Sequence, residues 1–191
     1  MSVQASPYLS GRLLVAMPGI GDPRFERAVI LLCEHDQSHA MGLTVNRPVD
    51  GLTISSLLGK LGVDAGPDAA DALVLLGGPV DTERGFVLHT CDRGFGAGSL
   101  RIGEDLALTV SRDILQLLAR PAERPRRSVM AVGYAGWDGG QLEREIRENV
   151  WLICEADEDL LFDDDHEHKW SRALAKIGVS PENLSAHLGR A

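Results

Sequence analysis

The sequence predicts an α/β fold in which a mixed sheet is covered by helices. Short apolar runs alternate with stretches of helical periodicity along the chain, the arrangement of strands interleaved with covering helices. Two runs, Val29-Ile30-Leu31-Leu32 and Leu73-Val74-Leu75-Leu76, are apolar at every position, as strands buried on both faces must be. With 191 residues, 44% hydrophobic and 25% charged, the chain has enough apolar material for one sizeable core.

Each element has its own local reason. Arg12–Met17 is an apolar run stopped by Pro18 and reads as a strand, as do Ala28–Glu34 and Gly42–Asn46. Ile54, Leu57, Leu58 and Leu61 fall at i, i+3, i+4 and i+7, one apolar stripe of a helix. Strands are expected next at Ala72–Leu76, Gly85–His89 and Leu106–Val110. Ser111 is a good N-cap for a helix carrying Ile114, Leu115, Leu117 and Leu118, which must stop before Pro121. After a strand at Ser128–Gly133, a helix runs from Asp138 to Asn149 with Leu142, Ile146 and Val150 on one side. Glu143 stands four residues before Arg147, the spacing of a supporting ion pair. Trp151–Glu155 is the last strand, and Trp170, Ala173, Leu174 and Ile177 mark the last clear helix. There is no internal repeat. Asp64–Asp71 and Arg120–Arg127 are the most linker-like stretches, each too short to separate domains, so 1–191 is expected to be a single domain with at most a small sub-lobe.

Charge narrows the function. Nineteen Lys+Arg against 28 Asp+Glu give a net charge of -9, the wrong sign for docking on nucleic acid or on an anionic membrane surface through the overall field. The three cysteines, Cys33, Cys91 and Cys154, are odd in number and widely spaced, which fits a reducing compartment better than a disulfide framework. Near the amino terminus no charged region precedes an apolar one, and the longest apolar stretch, Leu13–Met17, is too short for a signal peptide or a membrane span. A cytoplasmic protein is expected.

The ligand-like clusters have plain structural readings. Cys33, His35 and His39 suggest a metal site, with Cys33 and His35 on one strand face, but no second ligand pair has a zinc spacing. His166 and His168, in Asp163-Asp164-Asp165-His166-Glu167-His168, do not face each other on a helix and read as a solvated helix start. No metal and no cofactor is assigned. Gly94-Phe95-Gly96-Ala97-Gly98 precedes an extended Leu100-Arg101-Ile102 rather than a helix, and Gly19-Ile20-Gly21-Asp22 lacks a third glycine, so both read as turns. No nucleophile elbow, P-loop or His-Glu-x-x-His is present. Nothing favours the Cys91 thiolate, and Arg120, Arg124, Arg126 and Arg127 form either an anion patch or a solvated loop.

The strongest signal lies in three predicted turns, each closing a strand. They are Asn46-Arg47-Pro48, then Gly77-Gly78-Pro79-Val80 with Arg84-Gly85 just after, then Gly133-Tyr134-Ala135-Gly136-Trp137. Each couples glycine or proline, which set an unusual backbone path, with a large polar or aromatic side chain. In α/β sheets ligand sites gather where such loops leave the strands; the alternative is tight packing alone. Asp138-Gly139-Gly140-Gln141 also has the spacing of a capping box, in which Gln141 only closes the helix.

At these turns the chain resembles the AlgH/YqgE family of bacterial proteins. The matching residues include Met17-Pro18, Phe25, Cys33-Glu34-His35, Ala40-Met41-Gly42-Leu43, Asn46-Arg47-Pro48, Gly77-Gly78-Pro79-Val80 and Arg84-Gly85-Phe86-Val87-Leu88-His89. Gly133-Tyr134-Ala135-Gly136-Trp137, Gly140-Gln141-Leu142-Glu143, Glu145, Asn149, Trp151-Leu152, Phe162, Trp170, Leu174 and Gly178 carry the match nearly to the end. His39 and Arg190 depart from the family, which has glycine and histidine there. The resemblance implies a mixed, curled, barrel-like sheet flanked by about four to five helices. It also implies a name drawn from a proposed regulator of alginate synthesis, and it brings no catalytic residue. No helix-turn-helix or other DNA-reading motif accompanies it, so regulation is expected to act through a protein or a small ligand.

The residues support two readings. In the first the chain is a non-catalytic binding or regulatory domain whose contact surface is the rim of the three turns: Asn46, Arg47, Gly77, Gly78, Arg84, His89, Trp137, Gln141, Glu143 and Glu145. Arg47 and Arg84 would supply charge-assisted hydrogen bonds and Trp137 an aromatic wall. In the second the chain is an enzyme acting on a small anionic metabolite, with His89 or a carboxylate as acid or base. Neither the ligand nor the oligomeric state is written in the sequence.

Overall fold

A computed structural model describes residues 8–64, 66, 72–93, 98–110 and 112–187. Among them are ten strands and six helices. In chain order these are β1 (Arg12–Ala16), β2 (Val29–His35), β3 (His39–Thr44), β4 (Pro48–Thr53), α1 (Ile54–Lys60), β5 (Leu73–Leu76), β6 (Val80–Thr90), β7 (Ser99–Ile102) and β8 (Leu106–Thr109). Next come α2 (Arg112–Leu118), β9 (Ser128–Asp138), α3 (Gln141–Arg147), β10 (Trp151–Glu155), α4 (Glu158–Phe162), α5 (Lys169–Lys176) and α6 (Pro181–His187). One turn of 3-10 helix, Pro23–Phe25, stands between β1 and β2.

The strands form one mixed sheet in the order β10-β1-β2-β3-β9-β6-β8-β7, with β5 beside β9 and β4 beside β5. Every pairing is antiparallel except β5 with β9. The sheet curls until β7, at one end of the order, packs against β2. Leu13, Val15 and Leu31 therefore share one interior with Leu88, Ile102 and Leu108, and α4 and α5 join it through Leu161, Trp170 and Leu174. The alternate residues Leu14, Ala16, Ile30 and Leu32 point outward under Leu142 of α3. Helices α1 and α2 cover the remaining outer face at Val74, Val87 and Met130. Leu13, Leu14 and Val15 are fully buried, so both faces of β1 contribute, by roughly 1.5–3 kcal/mol for each large side chain.

The central strand is where the sequence reading needs correction. Gly133–Trp137 is not a turn after a strand; it is the second half of β9, eleven residues long. Up to Val132 it pairs with β5 and β6 and from Ala135 onward with β3, while Tyr134 still meets Val80 at the start of β6. Gly133 sits between them at φ +72°, where only glycine is comfortable, so the strand bends and changes partners instead of ending. The helix predicted from Asp138 accordingly starts later, at Gln141. Similarly β6 begins at Val80 rather than Gly85, and β3 at His39 rather than Gly42. At the β2–β3 hairpin the Asp36 carboxylate accepts from the backbone N–H groups of Ser38 (2.7 Å) and His39 (3.0 Å), closing a turn tight enough for pairing to start at once.

Pro48–Thr53, Glu158–Phe162 and Pro181–His187 are elements without an apolar period long enough to announce them. Among the described residues the helices accordingly number six, against the about four to five expected. Gly94–Ala97 of the glycine-rich stretch, the N-cap Ser111, most of the Asp64–Asp71 linker and Arg190 lie outside the described residues.

Candidate functional site

The three glycine- and proline-rich segments do converge, but through backbone more than through their large polar and aromatic side chains. A Cβ on Gly77 would lie 2.3 Å from the carbonyl oxygen of Gly133, and one on Gly78 would lie 2.0 Å from the carbonyl carbon of Tyr134. These two glycines let the chain cross against the bend of β9 and carry Pro79 and Val80 to the edge of Trp137. Asn46 and Arg47 act on the segment between β1 and β2. Asn46 accepts from the Val29 N–H (2.9 Å) and donates to the Arg27 carbonyl (2.8 Å). Arg47 Nη2 donates to the Glu26 carbonyl at 2.6 Å and reaches the Pro23 carbonyl at 3.5 Å. Arg47 thus clamps the Pro23–Phe25 turn, Asn46 fixes the chain just after it, and Asp22 caps the turn from its other end.

Between this turn, Pro79–Val80 and α3 lies a cleft of about 440 Å³. Ile20, Asp22, Arg24 and Phe25 form one wall, Pro79, Val80 and Gly136 another, and Trp137, Gln141, Glu145, Glu148, Val150 and Trp151 the rest. The aromatic rings meet edge to face, Phe25 with Trp151 at 5.7 Å between centroids and Trp151 with Trp137 at 6.0 Å. Glu145 holds this wall in place. Its Oε2 accepts the indole N–H of Trp137 (2.9 Å) and of Trp151 (2.8 Å), and its Oε1 accepts from the Gln141 amide (2.9 Å). Gln141 also accepts from the Asp138 N–H at 3.0 Å, but the helix begins at Gln141 with Gly140 as its N-cap and no side-chain cap, so the expected capping box does not form.

The other predicted site residues lie elsewhere. Arg84 stacks over the Phe86 ring at 5.6 Å. It edges two different cavities, about 480 Å³ beneath α1 and α2 and about 270 Å³ beside Tyr134 and Met41. Glu143 does not pair with Arg147; it accepts from His35 Nε2 at 3.0 Å, while His35 Nδ1 accepts the Leu9 N–H. His89 is 0% exposed. Its Nδ1 lies 3.0 Å from the Thr90 carbonyl, which can only accept, so this nitrogen carries the proton and Nε2 accepts from the Thr109 hydroxyl at 2.8 Å. Burial lowers its pKa below the ordinary histidine value. Such a ring, with both nitrogens engaged in the interior, is not placed to exchange a proton with a substrate.

The ligand-like clusters resolve in the same way. A bulge between Leu32 and Glu34 turns His35 away from Cys33, so the two do not share a face. Cys33 lies in the interior, and burial pushes its thiol up to about 12. Glu34, Asp36 and His39 do lie within 4.8 Å of one another, but Asp36 is already closing the hairpin and both ring nitrogens of His39 face its neighbours' carboxylates. In the basic loop, Arg120, Arg126 and Arg127 pair with Glu123, Glu158 and Asp159.

Sequence reading missed Asp22, Arg24, Glu148 and Val150 as cleft residues. Only the capping spacing of Asp22 before Pro23-Arg24-Phe25 hinted that a rigid turn stands there.

Known proteins resemble this chain in sequence and fold. The sequence profile described as AlgH-like matches residues 13–182. A UPF0301 protein of Caulobacter vibrioides is 60% identical over 184 residues, covering 96% of this chain and 94% of its own length. The UPF0301 protein blr1492 of Bradyrhizobium diazoefficiens is 48% identical over 191 residues, covering 96% and 89%. The solution structure of the AlgH protein from Pseudomonas aeruginosa superposes with a TM-score of 0.77 at 41% identity over the whole of both chains. The crystal structure of protein DIP2367 from Corynebacterium diphtheriae superposes at 0.74 with 20% identity, over 95% of this chain and 93% of that one, which shows the fold alone. A profile match over most of the chain, close relatives along its full length and a shared curled sheet lead to one conclusion: this chain belongs to the AlgH-like family.

Proposed function

We propose that the chain is a non-catalytic binding domain of the bacterial cytoplasm, regulating through a small ligand or a protein partner held at the cleft of Trp137, Gln141 and Glu145. Residues 1–191 act in it as one unit. One observation carries this reading: Glu145 is a half-buried carboxylate whose hydrogen-bond partners among the described residues are all neutral donors, at the edge of an aromatic-walled cleft of about 440 Å³. Residues needed only for packing are rarely ionised and left without a counter-charge. The net charge of -9 argues against direct action on nucleic acid. Of the two candidate acid–base groups of the enzyme reading, His89 is sealed in the interior with both ring nitrogens engaged, which leaves that reading only a carboxylate.

The experiment is a thermal-shift screen of the whole chain against nucleotides, sugar phosphates, amines and metals, repeated with Glu145→Gln and Arg47→Ala. A ligand bound only by the folded state raises the melting temperature. The expected hit loses its effect in Glu145→Gln, which keeps an acceptor for the indoles but not the charge. Arg47→Ala, which frees the turn that forms one cleft wall, is expected to lower the baseline by about 1 kcal/mol and to reduce the ligand shift without abolishing it. Hits indifferent to Glu145→Gln would put the binding surface somewhere else.

A further inference from the structure

We propose that this cleft selects an organic cation: an ammonium or guanidinium group, whether of a free amine or of a side chain on a partner. The inference rests on the cleft being the binding surface and adds the chemical class of what binds there.

Four charged side chains line the cleft: Asp22, Arg24, Glu145 and Glu148. Arg24 and Asp22 neutralise each other through a two-pronged pair, Nη2 to Oδ2 at 2.7 Å and Nε to Oδ1 at 3.0 Å. The remaining charge is that of two carboxylates. Glu148 is exposed. Glu145 is half-buried and receives two indole N–H groups and one amide, donors that satisfy lone pairs but supply no positive charge. No lysine or arginine among the described residues pairs with either carboxylate. A carboxylate partly removed from water attracts a cation more strongly than one in bulk solvent, because the effective dielectric is lower.

The walls favour the same class. Aromatic rings attract cations through their negative faces. The chain already illustrates this on the cleft wall, where the Arg24 guanidinium lies 5.8 Å from the centroid of the Phe25 ring. The arginines that would suit an anion are elsewhere: Arg47 faces the Pro23 and Glu26 carbonyls, and Arg84 lines the other cavities. A volume of about 440 Å³ admits a small amine or one long basic side chain.

The test reads the three tryptophan indole N–H resonances of the intact chain. Trp137 and Trp151 report on the cleft, and Trp170, which donates to the Ala16 carbonyl at 2.8 Å in the interior, is the internal control. Probes are agmatine, an arginine-containing peptide amide, the neutral analogue butylurea, and citrate as anion. We expect saturable shifts of Trp137 and Trp151 with agmatine or the peptide, Trp170 unmoved, and no saturable shift with butylurea or citrate. Glu145→Gln should weaken binding by about tenfold or more, and the exposed Glu148→Gln by roughly two- to fivefold. The Glu148 variant keeps the test decisive if Glu145→Gln folds poorly. A peptide that binds tighter than agmatine assigns the cation to a partner protein; the reverse order assigns it to a free amine. Saturation by citrate or butylurea without the cations would overturn the cation class and leave the cleft standing as a binding surface. Absence of a shift with every probe, or equal movement of all three indoles, would overturn both.

Discussion

The ammonium nitrogen of Lys169 lies 3.2 Å from the carbonyl oxygen of Val45, and the lysine has no exposed surface. The same nitrogen is 3.4 Å from the Leu161 carbonyl and 3.8 Å from the Asp163 carboxylate, so one side chain ties the first turn of α5 to the end of β3 and to α4. Asp163 is shared, since it also holds Arg172 at 2.6 Å. Burial pushes the Lys169 pKa down to about 8, with Asp163 drawing it partly back.

This makes stability depend on pH in a definite direction. Between about 8 and the ordinary lysine value of 10.5 the unfolded chain holds the Lys169 proton more firmly than the folded one, so this residue's contribution improves as pH rises through that window. Below about 8 the full cost of the buried charge is present. Urea unfolding of the wild type and of Lys169→Met should differ by a constant between about pH 7 and 7.5, before acid titrates the neighbouring His166 and Asp163. Between pH 8 and 10.5 the difference should move in favour of the wild type, by on the order of 3 kcal/mol. A difference that stays flat to pH 10.5 would contradict the placement of Lys169.

Glycines of this chain are not equivalent. Gly78→Ala would drive a methyl group into the Tyr134 backbone, which cannot move without breaking β9, and should cost about 3 kcal/mol or more. Gly59 lies in α1 with open space around it and an ordinary helical backbone, so Gly59→Ala should stabilise by about 0.5–1 kcal/mol. Chemical denaturation of the two variants reads both signs. A mild effect at Gly78 would mean that the chain does not cross β9 so closely.

Two histidines should titrate apart. Burial lowers the His89 pKa, while the hydrogen bond to Asp165, 2.7 Å away, raises that of exposed His168. In a histidine NMR titration His168 should charge above the ordinary value of 6.5, and His89 should remain a neutral ring with its proton on Nδ1 until well below it. Because the folded pKa of His89 is depressed, its part in stability is present above about 6.5 and is lost as the medium becomes more acid. An ordinary titration at His89 would restore it as a candidate base.

Local pattern was enough for most of the elements. Arg12–Ala16, Leu73–Leu76, Leu106–Thr109 and Trp151–Glu155 emerge within a residue or two of their expected limits, because continuous apolar runs between breakers have no other way to be buried. The two predicted stripes likewise give helices that bury Ile54 and Leu58, and Trp170, Ala173 and Leu174, but Leu61, expected on the first stripe, stands exposed just after its helix. Sequence also marked out Asn46, Arg47, Gly77, Gly78 and Gly133, whose contacts hold backbone around one cleft, whereas Arg84 and Gly85 line other cavities.

The sequence by itself determined the fold class, most of the strands and helices, the family, and which segments carry unusual backbone. The elements and fold class are consequences of local composition and periodicity; the family follows from the resemblance of the motifs. Only the tertiary structure decided what the marked residues do. Gly133 bends a strand instead of ending it because β3 pairs with the residues on its C-terminal side. Arg47 and Asn46 direct their hydrogen bonds to backbone that approaches from far away in sequence, and His89 is neutral because the curled sheet closes over it. The charge of the cleft is a sum over side chains from separate segments, and no window along the chain contains that sum.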